Sequence, residues 1–312
     1  VITATHRQDR TFHPPADYCP LCPTRPGGFP TEVPYDDYDI AVFENKFPSL
    51  VTPAHEPSEE GTWFCPVRPS SGVCEVVCYS SDHSATFATL PLRQIEKLAR
   101  VWQDRYVALC ARPDVEYVFI FENKGKEIGV TLSHPHGQIY GYPFIPPVVR
   151  DELAAEREHF NEHERPLMFD VLEEEARDGR RIVWENEHYV AFVPFFARYP
   201  YEVHVATVNH VPSLAEMDGA HLDGLAEALH AVAKKYDALF GFSMPYVMAM
   251  HQEPAEPGYD FAWFHVEFYP PYRTADKLKF LAGSESGAGA FINDTLPEES
   301  AARLREAKSS GL

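Results

Sequence analysis

Apolar residues recur at three- and four-residue steps in two stretches of the chain. Ile95, Leu98, Trp102 and Tyr106 fall on one face of a helix near Leu92 to Cys110. Leu222, Leu225, Leu229, Val232 and Tyr236 do the same near His221 to Phe240. Both stripes read as faces turned to a core. Short runs rich in Val, Ile, Phe and Tyr, bounded by Pro and Gly clusters, read as strands, in the stretches Cys74 to His83, Glu116 to Asn123, Glu202 to His210, Tyr246 to His251 and Phe264 to Tyr269. Val1 to Thr5 has the same look. Asp151 to Gly179 is heavily charged and reads as a solvated helix, and Pro297 to Lys308 as a short terminal helix. The expected class is α+β, antiparallel sheets backed by helices.

The pattern occurs twice. A strand ending in a His, then a helix, a second strand and a His-bearing stretch appear in that order in each half of the chain. His83 to His210, Asn123 to His251 and His134 to His265 are spaced by 127, 128 and 131 residues. One order at nearly one spacing predicts an internal duplication. The halves are expected at residues 1–150 and 151–312.

Composition narrows the function classes. The 312 residues are 45 % hydrophobic and 24 % charged, values of an ordinary folded protein. No apolar run is long enough for a transmembrane helix, so no membrane partner is expected. The net charge of −20 argues against nucleic acid, whose phosphates demand a basic face. A small phosphate ligand remains compatible if donors gather locally. No signal peptide is visible, and the chain opens at Val1 without a Met, so preceding residues are expected. Six irregularly spaced cysteines in a chain of this length suggest thiols in a reducing, cytoplasmic setting. Only Cys19 and Cys22 form a recognisable pair, either half of a tetrahedral zinc site or a redox couple.

The stretch Ser133-His134-Pro135-His136-Gly137-Gln138 carries the chemistry. Strand alternation points His134, His136 and Gln138 to one side and Pro135 and Gly137 to the other. Pro135 lacks an N–H, which predicts a sheet edge or a bulge here. A neutral imidazole is a competent nucleophile toward phosphorus and also a metal ligand, so two histidines two residues apart permit a division of labour. Gln138 cannot act as an acid, but its amide N–H can hold a phosphoryl oxygen. A phosphate leaving group needs little protonation, so Gln at this position favours phosphate-to-phosphate transfer over hydrolysis.

This stretch resembles the signature of the histidine-triad superfamily, specifically its galactose-1-phosphate uridylyltransferase branch, where His-Pro-His-Gly-Gln replaces the third histidine of the hydrolases by Gln. The likeness runs from His6-Arg7 through Phe43-Glu44-Asn45, Asp82-His83-Ser84 and Phe121-Glu122-Asn123-Lys124-Gly125 to Phe268-Tyr269-Pro270-Pro271 and Lys279-Phe280. The resemblance implies a fold of two histidine-triad-like halves and a homodimer. It implies transfer of UMP from UDP-glucose to galactose 1-phosphate, giving UDP-galactose and glucose 1-phosphate, through a covalent bond to His136, with Gln138 on the transferred phosphoryl group. Arg7, Arg10, Asn45, Phe47, Asn123, Gly129 and Thr131 fall where the family contacts the nucleotide or its phosphates, and Lys279 remains available as a substrate-binding group.

The family also places zinc on Cys19, Cys22, His83 and His134. A second set, Glu152, His251, His265 and Glu267, would bind iron or zinc or form a buried polar cluster. Glu267 stands where relatives often carry a third histidine. Further departures are Lys46 in place of an acidic residue beside the nucleotide, Val130 in place of a small Cys, and the Gly-rich segment 283–293. Two other readings remain at this point. One is a related enzyme acting on adenylylated substrates such as dinucleoside polyphosphates; the other is a non-catalytic nucleotide-binding protein.

Overall fold

The computed structural model describes residues 1–4, 13–57 and 59–308. In chain order the elements are β1 (Ala41–Glu44), β2 (Val73–Cys78), α1 (Leu92–Cys110), β3 (Tyr117–Lys124), β4 (His136–Tyr142), α2 (Pro147–His163), α3 (Leu167–Asp178), β5 (Ile182–Glu185) and β6 (Tyr189–Phe192). Then follow β7 (Val203–Thr207), α4 (Gly219–Phe240), β8 (Tyr246–His251), β9 (His265–Tyr269), the hairpin β10 (Tyr272–Thr274) and β11 (Lys277–Leu278), α5 (Gly283–Ala288) and α6 (Pro297–Glu306). Both periodic stripes are helices with the expected bounds to within two residues. Residues 1–4 lie in no strand. Among the described residues no helix is long and apolar enough to cross a membrane.

Nine strands form one antiparallel sheet in the order β1-β2-β4-β3-β8-β9-β7-β6-β5. Read outward from the β3–β8 seam, the order is the same in both directions: β4 and β9, then β2 and β7, then β1 and β6. The connectivity strand–helix–strand–strand is also shared, β2-α1-β3-β4 and β7-α4-β8-β9. The seam is a true ladder, pairing Phe121 with Ala249 through Lys124 with Tyr246. The register refines the sequence echo. Cys78 faces His136 and Ala206 faces His265 across equivalent strand pairs. His265 therefore corresponds to His136, 129 residues earlier, and not to His134.

One face of the sheet packs on α1 and α4, which also pack on each other. Val77, Val118, Ile120 and Ile139 from the first half and Val205, Met248, Met250 and Val266 from the second meet Ile95, Leu98, Trp102, Leu225, Leu229 and Tyr236 there. Two-residue alternation then puts His136 and Gln138 on the other face. Over the second half that face is plated by α2 and α3, which corrects the expectation of one solvated helix across 151–179. The chain breaks after α2 at Glu164, left-handed at φ 56°, just before Pro166. Val149 and Leu153 pack on Tyr117 and Phe261, and Met168 on Phe192 and Trp263. A few apolar positions suffice to seat a charged helix when its other faces stay wet.

Candidate active site and metal centres

The second correction concerns the His-Pro-His-Gly-Gln strand, which is interior. β4 pairs with β2 on one side and β3 on the other, Gln138 facing Val76 and Phe121. Pro135 stands just before the first ladder residue, so its missing N–H breaks no ladder bond. Its carbonyl accepts the Tyr79 N–H at 3.0 Å. Gly137 turns toward the helix side, where a Cβ would come within 2.2 Å of the buried Tyr79 hydroxyl. No other residue type fits there.

His136 Nδ1 lies 2.7 Å from the His134 carbonyl oxygen. A carbonyl only accepts, so Nδ1 carries the proton and Nε2 keeps its lone pair. Burial lowers the His136 pKa below its ordinary value, partly offset by that hydrogen bond, which favours the neutral ring. Gln138 Oε1 accepts from Asn45 Nδ2 and from the Tyr140 hydroxyl, each at 3.3 Å. Its NH₂ group is left as a donor without a partner among the described residues. This is the state a phosphoryl oxygen requires.

His136 lines two cavities. One, about 290 Å³, is lined by the apolar Leu21, Phe29, Phe43, Phe47 and Val76 and by the polar Asn45, Asn123, Thr131 and Gln138. The other, about 480 Å³, lies beyond the loop 125–135 and includes Lys124, Lys126 and Ser243. Gly129 closes a short turn of that loop at φ 84°, a conformation side chains resist. Asn45, Phe47, Asn123, Gly129 and Thr131 thus come together around His136 and Gln138. Lys279 does not line either cavity. It is buried with its Nζ bonded to the Ile292 carbonyl and 3.4 Å from Glu285. Arg7 and Arg10 lie outside the described residues.

Cys19, Cys22, His83 and His134 offer ligand atoms that all lie within 4.8 Å of one another. Cys22 Sγ is 3.4 Å from His83 Nδ1 and 3.5 Å from His134 Nδ1. Metal–sulfur and metal–nitrogen bonds of about 2.3 and 2.05 Å at tetrahedral angles would separate S and N by roughly 3.6 Å, so the donors fit one ion. Both His134 partners support this orientation. Its Nε2 points at the Ser80 carbonyl, 2.8 Å, and the Tyr38 hydroxyl, 2.7 Å, which leaves the Nδ1 lone pair facing Cys22. Burial holds His134 down at about 4, in the neutral form a ligand needs. Burial and the Cys19 thiol push Cys22 up to about 12, so a cation is what would let both sulfurs sit there as thiolates.

The second set forms two overlapping groups that share His265: Glu152, His251 and His265, and His204, His265 and Glu267. His251 Nδ1 meets Glu152 at 2.6 Å, and His204 Nε2 sits 3.2 Å from Glu267. Arg198 reaches the other Glu267 oxygen at 3.2 Å. Burial would lower His265, but the Glu152 and Glu267 carboxylates outweigh it and raise the ring to about 10. Imidazole and carboxylate donors in this arrangement fit a transition metal. His265 Nδ1 bonds the Trp263 carbonyl at 2.9 Å, the same bond that His136 makes to His134. The two histidines are one structural position used twice.

Sequence reasoning missed Tyr38, Tyr79 and His204. Tyr38 lies among acidic residues with no periodic signal, Tyr79 directly follows the apolar strand β2 and His204 sits inside β7, so only space brings them to their partners.

A family model described as the N-terminal domain of galactose-1-phosphate uridyl transferase matches residues 3–146, and one for its C-terminal domain residues 152–310. The galactose-1-phosphate uridylyltransferase of Thermotoga maritima is 44 % identical over 98 % of this chain and 94 % of its own. That of Streptomyces lividans is 40 % identical over 96 % and 81 %. A solved uridylyltransferase structure superposes with a TM-score of 0.86 at 35 % identity, covering 96 % of this chain and 93 % of that one. The chain belongs to the galactose-1-phosphate uridylyltransferase family.

Proposed function

We propose that the chain is a hexose-1-phosphate uridylyltransferase that works by two displacements at His136. The observation that carries this reading is the Nδ1–H bond to the His134 carbonyl at 2.7 Å, which fixes an unprotonated Nε2 in the cavity that Gln138 also lines. In the first step the Nε2 lone pair attacks the α-phosphorus of UDP-glucose. An N–P bond forms, the bond from that phosphorus to the bridging oxygen breaks, and glucose 1-phosphate leaves with the electron pair. Charge that builds on the ring is stabilised by the His134 carbonyl, and charge on the phosphoryl oxygens by the Gln138 NH₂. Galactose 1-phosphate then attacks along the same line, restoring the free imidazole and releasing UDP-galactose.

The first cavity suits the nucleotide, with the apolar side chains against the base and Asn45, Asn123 and Thr131 toward the phosphates. Arg7 and Arg10 are proposed to add positive charge there. Zinc is the metal proposed for Cys19, Cys22, His83 and His134; bound, it would hold the segment before β4 and so aim His136. With four protein ligands it would keep no open position for substrate. Glu152, His251, His265 and Glu267 are proposed to hold iron or zinc in a structural role. Residues 1–150 would carry the reaction and 151–312 the support. A homodimer is proposed from the family likeness, with the segment 283–293 reaching a neighbouring subunit's site and Lys279, bonded to the Ile292 carbonyl beside Glu285, bracing that segment from within. All six cysteines are thiols, which suits a cytoplasmic setting.

Intact-protein mass spectrometry after incubation with UDP-glucose tests the reaction. The expected result is a gain of one UMP, mapped to His136, lost on adding galactose 1-phosphate and absent in His136→Asn. No adduct from metal-replete folded protein would sink the covalent mechanism. An AMP adduct from ADP-glucose in its place would move the chain to adenylyl transfer.

A further inference from the structure

Arg198 lies in the connection between β6 and β7, and three parts of the molecule meet on it. Its Nη2 donates to Glu267 at 3.2 Å and to the Tyr269 hydroxyl at 2.8 Å. Its guanidinium lies 4.9 Å from the centre of the Tyr269 ring and 5.8 Å from that of Phe291, within cation–π range of both. Glu267 belongs to the second donor set. One planar group thus touches that set on one side and the segment 283–293 on the other. Arg suits the place because its flat fork can stack and donate at once.

Both ends of this link are held. The backbone N–H groups of Arg198 and Tyr199 donate to the buried Glu202 carboxylate at 2.7 and 3.0 Å. From the segment, Asn293 Nδ2 donates to the carbonyls on either side of Arg198, those of Ala197 at 2.9 Å and Tyr199 at 3.3 Å. Inside the segment Glu285 accepts from the N–H groups of Ala282 and Ile292 at 3.1 and 3.4 Å. The segment is therefore braced as a unit and joined to the second half at Phe291 and Asn293. Glu267 turns its other oxygen toward His204 and His265. A charge-assisted bond from Arg198 needs the carboxylate that this chain carries at position 267.

Resting on the reading above that the segment 283–293 reaches a neighbouring subunit's site, we infer that Arg198 is a positioning residue for the reaction. It ties that segment to Glu267, so the second donor set and the substrate-facing segment hold each other in place. The second set thereby acts on the substrate without touching it.

Hydrogen–deuterium exchange of the full metal-replete chain, resolved by peptide, tests the tie. Arg198→Met should speed exchange across 289–293 about tenfold or more, the worth of one charge-assisted hydrogen bond, and leave the β3–β8 seam as in wild type. Phe291→Leu cuts the link from the other end. It should give a similar acceleration, and the double variant should add little to either. Arg198→Lys keeps the charge toward Glu267 but has no flat face for Phe291, so it should restore only part of the protection. In turnover the Arg198→Met defect should fall on KM for galactose 1-phosphate, about tenfold, with kcat nearly unchanged. Wild-type exchange across 289–293 in Arg198→Met, an acceleration spread over the whole chain, or additive effects of the two substitutions would each overturn the assignment. Faster exchange there with an unchanged KM would keep the tie to Glu267 but overturn the positioning role, together with the reading that the segment reaches substrate.

Discussion

Gly137 shows how tightly single atoms constrain the proposed nucleophile, His136. With 2.2 Å between a hypothetical Cβ and the Tyr79 hydroxyl, Gly137→Ala must move either β4 or Tyr79. Overpacking of this kind costs about 1–3 kcal/mol. We expect a corresponding fall in thermal stability and a loss of kcat of at least about tenfold, from misaimed His136. The Tyr79 hydroxyl has no hydrogen-bond partner among the described residues, so Tyr79→Phe removes the nearest atom at little expense and should recover part of both losses in the double variant. The proposed zinc gives a second residue-scale expectation. Tyr38→Phe takes away a partner of His134 Nε2, and chelator competition should register about 10- to 100-fold weaker metal retention. His136, Gln138 and the Cys19–Cys22 pair were legible in the sequence because each is a short spacing with its own chemistry. Tyr38 and Tyr79 were not, since a residue whose partner lies dozens of positions away leaves no local pattern.

Elements with a clean period were read well, and those that depend on their neighbours were not. α1 and α4 follow from their stripes. β4 was expected at an edge because Pro135 was counted within the strand, whereas the ladder begins one residue later. The seam strands carry a consequence that can be measured. Glu122 on β3 is buried, faces Tyr246 of β8 at 3.3 Å, and has Lys124 and Asp237 of α4 nearby. Burial raises its carboxyl to about 7, although Lys124 and Tyr246 pull it down. A carboxyl raised on folding contributes stability that is complete at low pH and is lost as pH climbs through about 7. Glu122 should thus lower stability by about 3 kcal/mol between pH 4.5 and 8. Glu122→Gln stays neutral throughout, so urea unfolding at pH 5 and pH 8 should differ less for the variant by about that amount. An unchanged difference would place the carboxylate in contact with solvent.

On the scale of the whole molecule, the duplication was legible as an echo in spacing, but not its geometry: one continuous sheet with a ladder at its centre. Metal binding belongs to this scale as well. The four donors of the proposed zinc come from the turn at 19–22, the segment after β2 and the entry to β4, so removing the proposed ion should loosen all three at once. We expect chelation to lower UMP labelling of His136 more than tenfold and to open residues 16–33 to protease, with both reversed by added zinc. The β3–β8 ladder has a different consequence. The halves are joined like the subunits of a strand-paired dimer tied by a tether, the few residues between Tyr142 and Pro147. Severed there, each piece would carry a naked strand edge and one of two mutually packed helices, an invitation to aggregate. Produced together, the pieces have complementary edges and should reassemble into a working enzyme, so this sheet can serve as a split reporter whose signal is uridylyl transfer.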